Sequence, residues 1–223
     1  MTAKLFIQAI LKFLLGFFLV ALLIFLPAGT LNFPNGWLFL CILFVPMFLA
    51  GIVMMFKNPE LLKKRLDAKE KEKEQNFVVR LSGLMFLIGF VVAGLNFRFG
   101  WYSLPKSVVI TASVLFLIAY ILYAEVLRKN TYLSRTIKVE ENQKVIDTGL
   151  YSVVRHPMYS ATLILFLSMP LVLGSVYSFL VFLAYPFIIA KRIENEEKLL
   201  ENELNGYKEY KQKVKCRLIP FIW

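Results

Sequence analysis

The sequence has few of the residues that build metal centres and covalent active sites. Among its 223 residues are two cysteines and one histidine, and neither cysteine belongs to a Cys-x-x-Cys or Cys/His pattern. We therefore predict no metal site, disulfide framework or redox chemistry. A single histidine also leaves a Ser/His/Asp or Cys/His catalytic arrangement without a credible base. No Gly-x-Gly-x-x-Gly follows a predicted strand, which excludes a Rossmann-type nucleotide site.

Charge is scarce as well. Charged residues make up 18% of the chain and apolar residues 58%, whereas an ordinary soluble domain has roughly 45–50% apolar residues. Because the charges are bunched between long uncharged runs, the pattern predicts membrane spans rather than one buried core. A helix crosses the hydrocarbon with about 20 apolar residues. The runs of suitable length are 5–28, 33–56, 81–97 and 108–127.

A further apolar region, from Pro157 to Ala190, contains no acidic or basic residue. As one helix it would be about 51 Å long, too long for a single crossing. Pro170 and the pair Gly174-Ser175 lie near its middle and favour a turn. We therefore predict a helical hairpin with both ends on one side of the membrane. The predicted fold is all-α and polytopic, with about four transmembrane helices, a C-terminal helical hairpin and a cytosolic cofactor pocket.

We divide the chain into two parts of one integrated membrane domain. Residues 1–130 hold the N-terminal transmembrane helices and a helix-rich cytosolic loop at 57–80. Residues 131–223 hold a cofactor-binding loop, the hairpin and a cytosolic C-terminal helix and tail. We expect the first apolar run to remain in the membrane, because it is longer than the apolar core of a typical signal peptide.

The positive charges predict the orientation. With the N-terminus inside, 24 of the 26 lysines and arginines lie on the inner side, and the outer loops hold only Arg98 and Lys106. Short loops rich in Lys and Arg stay cytoplasmic. We therefore expect both termini and the site to be cytosolic. The basic charge reflects this orientation, so we predict no nucleic-acid partner.

Polar residues gather at the two ends of the predicted hairpin. Arg155 and His156 precede its first arm, and Arg192 and Glu196 follow its second. Each has an ordinary explanation: an arginine anchors to lipid phosphate, a histidine caps a helix, and residues four apart on a helix form an ion pair. Together they fit a zwitterion, because arginine pairs with a carboxylate, glutamate accepts an ammonium, and nearby tyrosine rings offer faces to adenine or a sulfonium. S-adenosylmethionine has all of these groups.

The same residues carry a family resemblance. The run DTGLYSVVRHPMYSA (147–161), with EEKLL (196–200), GYKEY (206–210) and RLIP (217–220), resembles the isoprenylcysteine carboxyl methyltransferase family of integral membrane methyltransferases. The marks are G-x-Y-x-x-x-R-H-P-x-Y and R-x-x-x-E-E. Two upstream pieces, NPELLKKRL and LNFRFGWYSLP, are similar to prokaryotic-type relatives, which favours a bacterial inner membrane over the endoplasmic reticulum. The resemblance implies a pocket closed by the C-terminal segment and a lipophilic or small acceptor that approaches from the bilayer.

The resemblance also implies which residues form the site. Arg192 would face the methyl acceptor, and Arg192 and Glu196 would be the catalytic pair. The residues expected to contact S-adenosylmethionine are Gln143, Lys144, Val145, Ile146, Tyr151, Arg155, His156, Pro157, Met158, Tyr159, Glu196 and Glu197.

Several alternatives remain open at this point. The acceptor would be an isoprenylcysteine-like carboxylate, a thiol or a phospholipid amine. A membrane reductase that uses NAD(P)H and is related to sterol reductases is a rival enzyme. A small transporter or structural membrane protein is the rival without catalysis, although Lys12 and Glu125 are the main ionisable residues of the spans and both lie near the inner ends. The pattern leaves the oligomeric state open.

Overall fold

The computed structural model describes residues 3–67, 73–133, 139 and 141–223. In this part of the chain the fold is all-helical, apart from one isolated β-bridge between Ser103 and Ser175. The α-helices are α1 (Ala3–Ala28), α2 (Pro34–Lys57), α3 (Pro59–Leu66), α4 (Lys73–Arg98), α5 (Lys106–Lys129), α6 (Pro157–Val172), α7 (Val176–Phe182), α8 (Tyr185–Glu203) and α9 (Tyr207–Lys213).

The predicted membrane helices are confirmed. Helices α1, α2, α4 and α5 are long and apolar enough to cross a membrane, and so is the stretch Val176–Glu203 that α7 and α8 form together. Large apolar side chains on these helices face outward, such as Leu15 at 70% and Phe56 at 75% exposure. This exposure suits contact with lipid. The third span was predicted to begin at residue 81, but α4 begins at Lys73.

The predicted hairpin is also confirmed. Helix α6 has 16 residues, which is about 24 Å of helix, and the chain then reverses at Gly174. This glycine has φ of 77° and sits close to Asn35, so a side chain would meet both strain and crowding there. Its carbonyl accepts a hydrogen bond from the Leu104 N–H at 3.0 Å, in the α4–α5 connection. The first arm therefore reaches from the end that holds His156 to the opposite end of the bundle.

The loop predicted at 57–80 is shorter and partly helical. Asn58 caps α3, because its side-chain oxygen accepts the Leu61 N–H at 3.0 Å. Since α4 begins at Lys73, residues 73–80 belong to a membrane helix instead. The Lys12 ammonium on α1 donates to the Leu66 carbonyl at 2.5 Å. Helix α3 therefore lies at the same end of the bundle as the N-terminal part of α1.

Close packing holds the helices together in one core. A Cβ on Gly94 of α4 would lie 2.5 Å from the Ile24 carbonyl oxygen of α1, so these two backbones touch. Phe39 on α2 and Phe116 on α5 are fully buried in the same core, and α5 packs along α6. This core holds the end of α5, the start of α6 and the end of α8 near one another.

Candidate active site

A cleft lies at the end of the bundle where α5 ends and α6 begins. It encloses about 850 Å³ of empty space, a volume that includes the open solvent at its mouth. Its walls come from the residues that follow α5, the loop before α6, α6 itself, α8 and α9. The lining residues are Asn130, Tyr132, Leu133, Gln143, Lys144, Val145, Ile146, Tyr151, Arg155, His156, Pro157, Met158, Tyr159, Arg192, Glu196, Leu200, Leu204, Tyr207 and Tyr210.

One hydroxyl joins the two arms of the hairpin inside the cleft. Tyr159 on α6 donates to Glu196 Oε2 at 2.5 Å and accepts from Arg192 Nε at 2.9 Å. The Arg192 guanidinium also lies 5.9 Å from the centre of the Tyr159 ring. The predicted catalytic pair on α8 is therefore linked through a tyrosine of α6. This link fixes the Arg192 guanidinium and the Glu196 carboxylate relative to each other.

A second carboxylate, one residue along α8, is buried behind this group. Glu197 is 2% exposed. Its Oε1 accepts from Arg155 Nε at 2.7 Å and lies 3.2 Å from His156 Nε2, and its Oε2 accepts from Arg217 Nε at 3.0 Å. A buried charge needs such paired partners. The ion cluster of Glu197, Arg155, His156 and Arg217 therefore ties α8 to the start of α6 and to the C-terminal segment.

The C-terminal segment is bound directly to the loop before α6. Arg155 Nη1 donates to the carbonyls of Val214 at 2.7 Å and Lys215 at 2.8 Å. The backbone N–H groups of Arg155 and His156 donate to the carbonyls of Cys216 and Arg217, both at 2.9 Å. These bonds hold residues 214–217 against the loop before α6.

A glycine starts the turn that places the first tyrosine of the site. Gly149 has φ of 63°, a left-handed conformation that favours glycine, and it opens a 3₁₀ turn at Gly149–Ser152. This turn directs the Tyr151 hydroxyl to α5, where it accepts from Asn130 Nδ2 at 2.8 Å.

Buried tyrosines form the far wall. The Tyr210 hydroxyl donates to the Tyr151 carbonyl at 2.6 Å. Burial raises the pKa of Tyr151 to about 12 and raises the pKa values of Tyr207 and Tyr210 well above the usual range. All three hydroxyls therefore stay protonated and uncharged at neutral pH.

The structure brings nearly all of the predicted site residues into this one cleft. The segment from Gln143 to Ile146 and the residues Tyr151 and Arg155 to Tyr159 line it, as do Arg192 and Glu196. Glu197 does not line it. Neighbouring residues on a helix point about 100° apart, so Glu196 faces the cleft while Glu197 faces the cations behind it. Their roles toward a cofactor stay predictions.

The ordinary explanations for Arg155 and His156 do not hold. Arg155 is 6% exposed and bonds to protein groups, so it is no lipid-phosphate anchor. His156 stands at the N-cap of α6 but its ring makes no capping bond, and it stacks on Tyr159 and meets Glu197 instead. Arg192 and Glu196 both bond to the Tyr159 hydroxyl.

Sequence reasoning missed part of the lining. Leu200 follows Glu196 by one helical turn, a spacing that places both on one face of α8 and would have identified it. Tyr207 and Tyr210 belong to GYKEY, which was used for the resemblance but not assigned to the site. The other missed lining residues are Asn130, Tyr132, Leu133 and Leu204. Nothing in the local pattern marks these four, because only the fold brings them to the cleft.

Comparison with known proteins agrees with this geometry. The family model of the isoprenylcysteine carboxyl methyltransferase (ICMT) family matches residues 107–202. The matched range runs from α5 to α8 and includes Arg155, His156, Arg192, Glu196 and Glu197. The GYKEY and RLIP segments lie beyond it. No curated protein matches the chain in sequence. The match over residues 107–202 makes this part of the multi-helix membrane protein similar to the ICMT family of membrane methyltransferases.

Proposed function

We propose that the protein transfers a methyl group from S-adenosylmethionine to a membrane-accessible carboxylate or thiol. The proposal rests on the cleft. There the Glu196 carboxylate, the Arg192 guanidinium and aromatic rings converge from both hairpin arms. The family match supports methyl transfer, and the lining supports this donor. Glu196 suits an ammonium group, the basic side chains suit a carboxylate, and the leucines and tyrosines suit an adenine.

When bound, S-adenosylmethionine supplies a methyl group on a positively charged sulfur. The protein's contribution is to hold donor and acceptor in line at near-contact distance. The Tyr159 hydroxyl fixes the Glu196 carboxylate and the Arg192 guanidinium relative to each other. We assign Glu196 to the ammonium end of the donor and Arg192 to the acceptor. Arg155 and His156 act by positioning, because their side chains bond to Glu197 and to the C-terminal segment.

The acceptor class follows from what Arg192 can do. A carboxylate acceptor is already ionised at neutral pH, needs no base and pairs with the guanidinium. A thiol must first lose its proton, and a nearby cation lowers its pKa. The pH profile of the transfer rate separates the two. A rate that is flat between pH 6 and 9 supports a carboxylate, and a rate that rises with a thiol pKa supports a thiol.

We further propose that the cleft faces the cytosol of a bacterial cell. The cleft lies at the same end of the bundle as α3 and the N-terminal part of α1, since Lys64 Nζ on α3 lies 3.4 Å from the Thr131 carbonyl next to α5. With this end inside, the sequence predicts 24 of the 26 lysines and arginines on the inner side. Such an excess marks the cytoplasmic side.

Calorimetry on the detergent-purified protein tests the donor. We expect S-adenosylmethionine to bind, and Glu196→Gln to weaken binding by about 10- to 100-fold, because a charged hydrogen bond is worth roughly 1.5–3 kcal/mol. Glu194→Gln is the matched control, since Glu194 is an exposed glutamate on the same helix. Folded wild-type protein that binds NADPH, or neither compound, would overturn the proposal and favour the reductase or the non-enzymatic alternative.

A further inference from the structure

Residues 218–223 form a turn that closes on itself, here called the C-terminal turn. The backbone N–H groups of Leu218 and Ile219 donate to the main-chain oxygen of Trp223 at 2.7 and 2.9 Å, and the Trp223 N–H donates back to the Ile219 carbonyl at 3.1 Å. Phe221 at the tip has φ of 63°, a left-handed conformation that is strained in a bulky residue. The turn therefore holds Phe221 in an orientation that a free chain rarely adopts.

The C-terminal turn is attached to the first turn of α6. The Ser160 hydroxyl donates to the Leu218 carbonyl at 2.5 Å, and the Leu218 side chain is 4% exposed in the main apolar core. The Trp223 ring packs against the same core and lies 5.2 Å from the Arg217 guanidinium. The base of the C-terminal turn is therefore buried, and its position is set by α6.

This attachment places the C-terminal turn at the edge of the membrane. Helix α6 is about 24 Å long, less than the roughly 30 Å thickness of the hydrocarbon. Its far end nevertheless reaches the opposite end of the bundle, where the Gly174 carbonyl accepts from Leu104. A helix this short that crosses the bundle begins close to the hydrocarbon boundary. Because Ser160 stands in the first turn of α6, the C-terminal turn bonded to it lies at that boundary.

The side chains at the tip of the C-terminal turn are left uncovered by the described part of the chain. The exposed fraction is 98% for Phe221 and 78% for Ile222. Large apolar side chains are unfavourable in water, and adjacent exposed ones mark an interaction surface. Just before the turn, Lys215 is exposed and Arg217 is half-buried. An apolar group beside basic residues is the combination that attaches a segment to the surface of an anionic leaflet.

We propose that Phe221 and Ile222 insert into the bilayer at the end of the bundle that holds the cleft. The bilayer is the occupant, rather than a second protein, because the C-terminal turn lies at the hydrocarbon boundary and follows basic side chains. Insertion surrounds both side chains with acyl chains instead of water and offsets the strain at Phe221. Since residues 214–217 are bonded to the loop before α6, insertion also ties the segment behind the cleft to the membrane. The inference does not depend on the proposed reaction.

Site-directed spin labelling tests the depth of the two side chains. The full chain carries Cys41→Ala and Cys216→Ser, and the serine keeps an acceptor for the Phe221 N–H. Phe221→Cys and Ile222→Cys are labelled one at a time with a nitroxide and placed in vesicles of phosphatidylethanolamine and phosphatidylglycerol. Collision rates are measured with oxygen, which concentrates in hydrocarbon, and with a water-soluble nickel complex. We expect a several-fold higher ratio of oxygen to nickel collisions at both positions than at a water-facing position.

Two controls bracket this ratio. Lys208→Cys on α9 is exposed and should give the value for water, and Leu15→Cys, at 70% exposure on α1, should give the value for lipid. Labels at 221 and 222 that collide with nickel as often as the label at 208 would overturn the inference. Labels shielded from both reagents that broaden each other's spectra would overturn it too, because a second copy of the chain would then cover the tip. The two positions are judged separately, so if one variant does not fold, the other decides.

Discussion

Helices α1, α2, α4 and α5 meet through rings and bare backbone, whereas the elements behind the cleft are also joined by buried charges. Phe33 and Phe97 stack at 4.1 Å between ring centres, and Gly94 lets α4 touch the backbone of α1. At the cleft, by contrast, Glu197 joins Arg155 and Arg217. Lipid cannot supply the contrast in polarity that drives apolar packing in water, so close fit holds the first part. The second part depends on buried ion pairs, in which each charge needs its partner.

The largest effect is expected from removing the centre of the ion cluster. Glu197→Gln leaves Arg155 and Arg217 without a counter-charge in a buried site, so we expect a loss of about 3–5 kcal/mol in unfolding free energy. Titration with a denaturing detergent from mixed micelles measures it. Glu194→Gln, on the exposed face of the same helix, should change the value by less than about 0.5 kcal/mol. A loss for Glu197→Gln as small as the control's would show that the cluster does not hold the C-terminal segment.

Helix packing should be the next most sensitive feature. In Gly94→Ala the new Cβ would meet the Ile24 carbonyl oxygen at 2.5 Å, and a backbone atom cannot rotate away. We expect a loss of about 1–3 kcal/mol, typical of overpacking. Gly83→Ala in the same helix is the matched control, because no atom lies within 4 Å of its added Cβ. Equal stability of the two variants would show that α1 and α4 are not in backbone contact.

The tyrosine that joins the hairpin arms inside the cleft should affect function more than stability. Tyr159→Phe removes the hydroxyl that links Arg192 and Glu196, and we expect S-adenosylmethionine to bind about 10-fold more weakly, since one charge-assisted bond is lost. Tyr185→Phe is a matched control. Its hydroxyl also joins α8 to α6, by donating to Thr162 Oγ1 at 2.8 Å, but it lies outside the cleft. Calorimetry should find unchanged affinity in Tyr185→Phe, and an equal loss in both variants would contradict the assignment.

The sequence predicted most of the fold because lipid imposes a simple rule on it. Apolar runs of membrane length predicted α1, α2, α4 and α5. The uncharged stretch from Pro157 to Ala190 predicted the hairpin. The start of α4 was predicted at residue 81, too far toward the C-terminus. Arg80 and the polar residues before it end the apolar run, but the helix extends back to Lys73. The break between α7 and α8 has one signal that was not used: Pro186 stands at the start of α8, a position that favours proline.

The sequence predicted where the cleft lies but not how its side chains are oriented. Motif spacing located the loop at His156 and the acidic pair on α8, but it treated Glu196 and Glu197 alike. Their separation depends on which face of α8 meets the cleft and which meets Arg155, and that requires the packing of α6, α8 and the C-terminal segment. Tyr207 was missed for the same cause. A residue on the last helix reaches the cleft only because the C-terminal segment folds back onto the loop before α6.

The smallest effect is expected from a surface ion pair close to the same cleft. Lys213 Nζ donates to Asp147 Oδ2 at 2.8 Å, and this partner lowers the pKa of the Asp147 carboxyl below its usual value. Because the folded pKa is the lower one, the stabilisation is present above the ordinary Asp pKa of about 3.9 and is lost as the pH falls through the lowered value. Asp147→Asn should therefore lower the thermal midpoint slightly at pH 7, and the difference from the wild type should vanish in acid. Salt of 0.5 M should also remove it, because exposed charges are screened, whereas the loss in Glu197→Gln should persist in the same salt. If salt instead removed both differences, the ion cluster would be as open to solvent as the surface pair, and burial would not distinguish the two kinds of charge at this site.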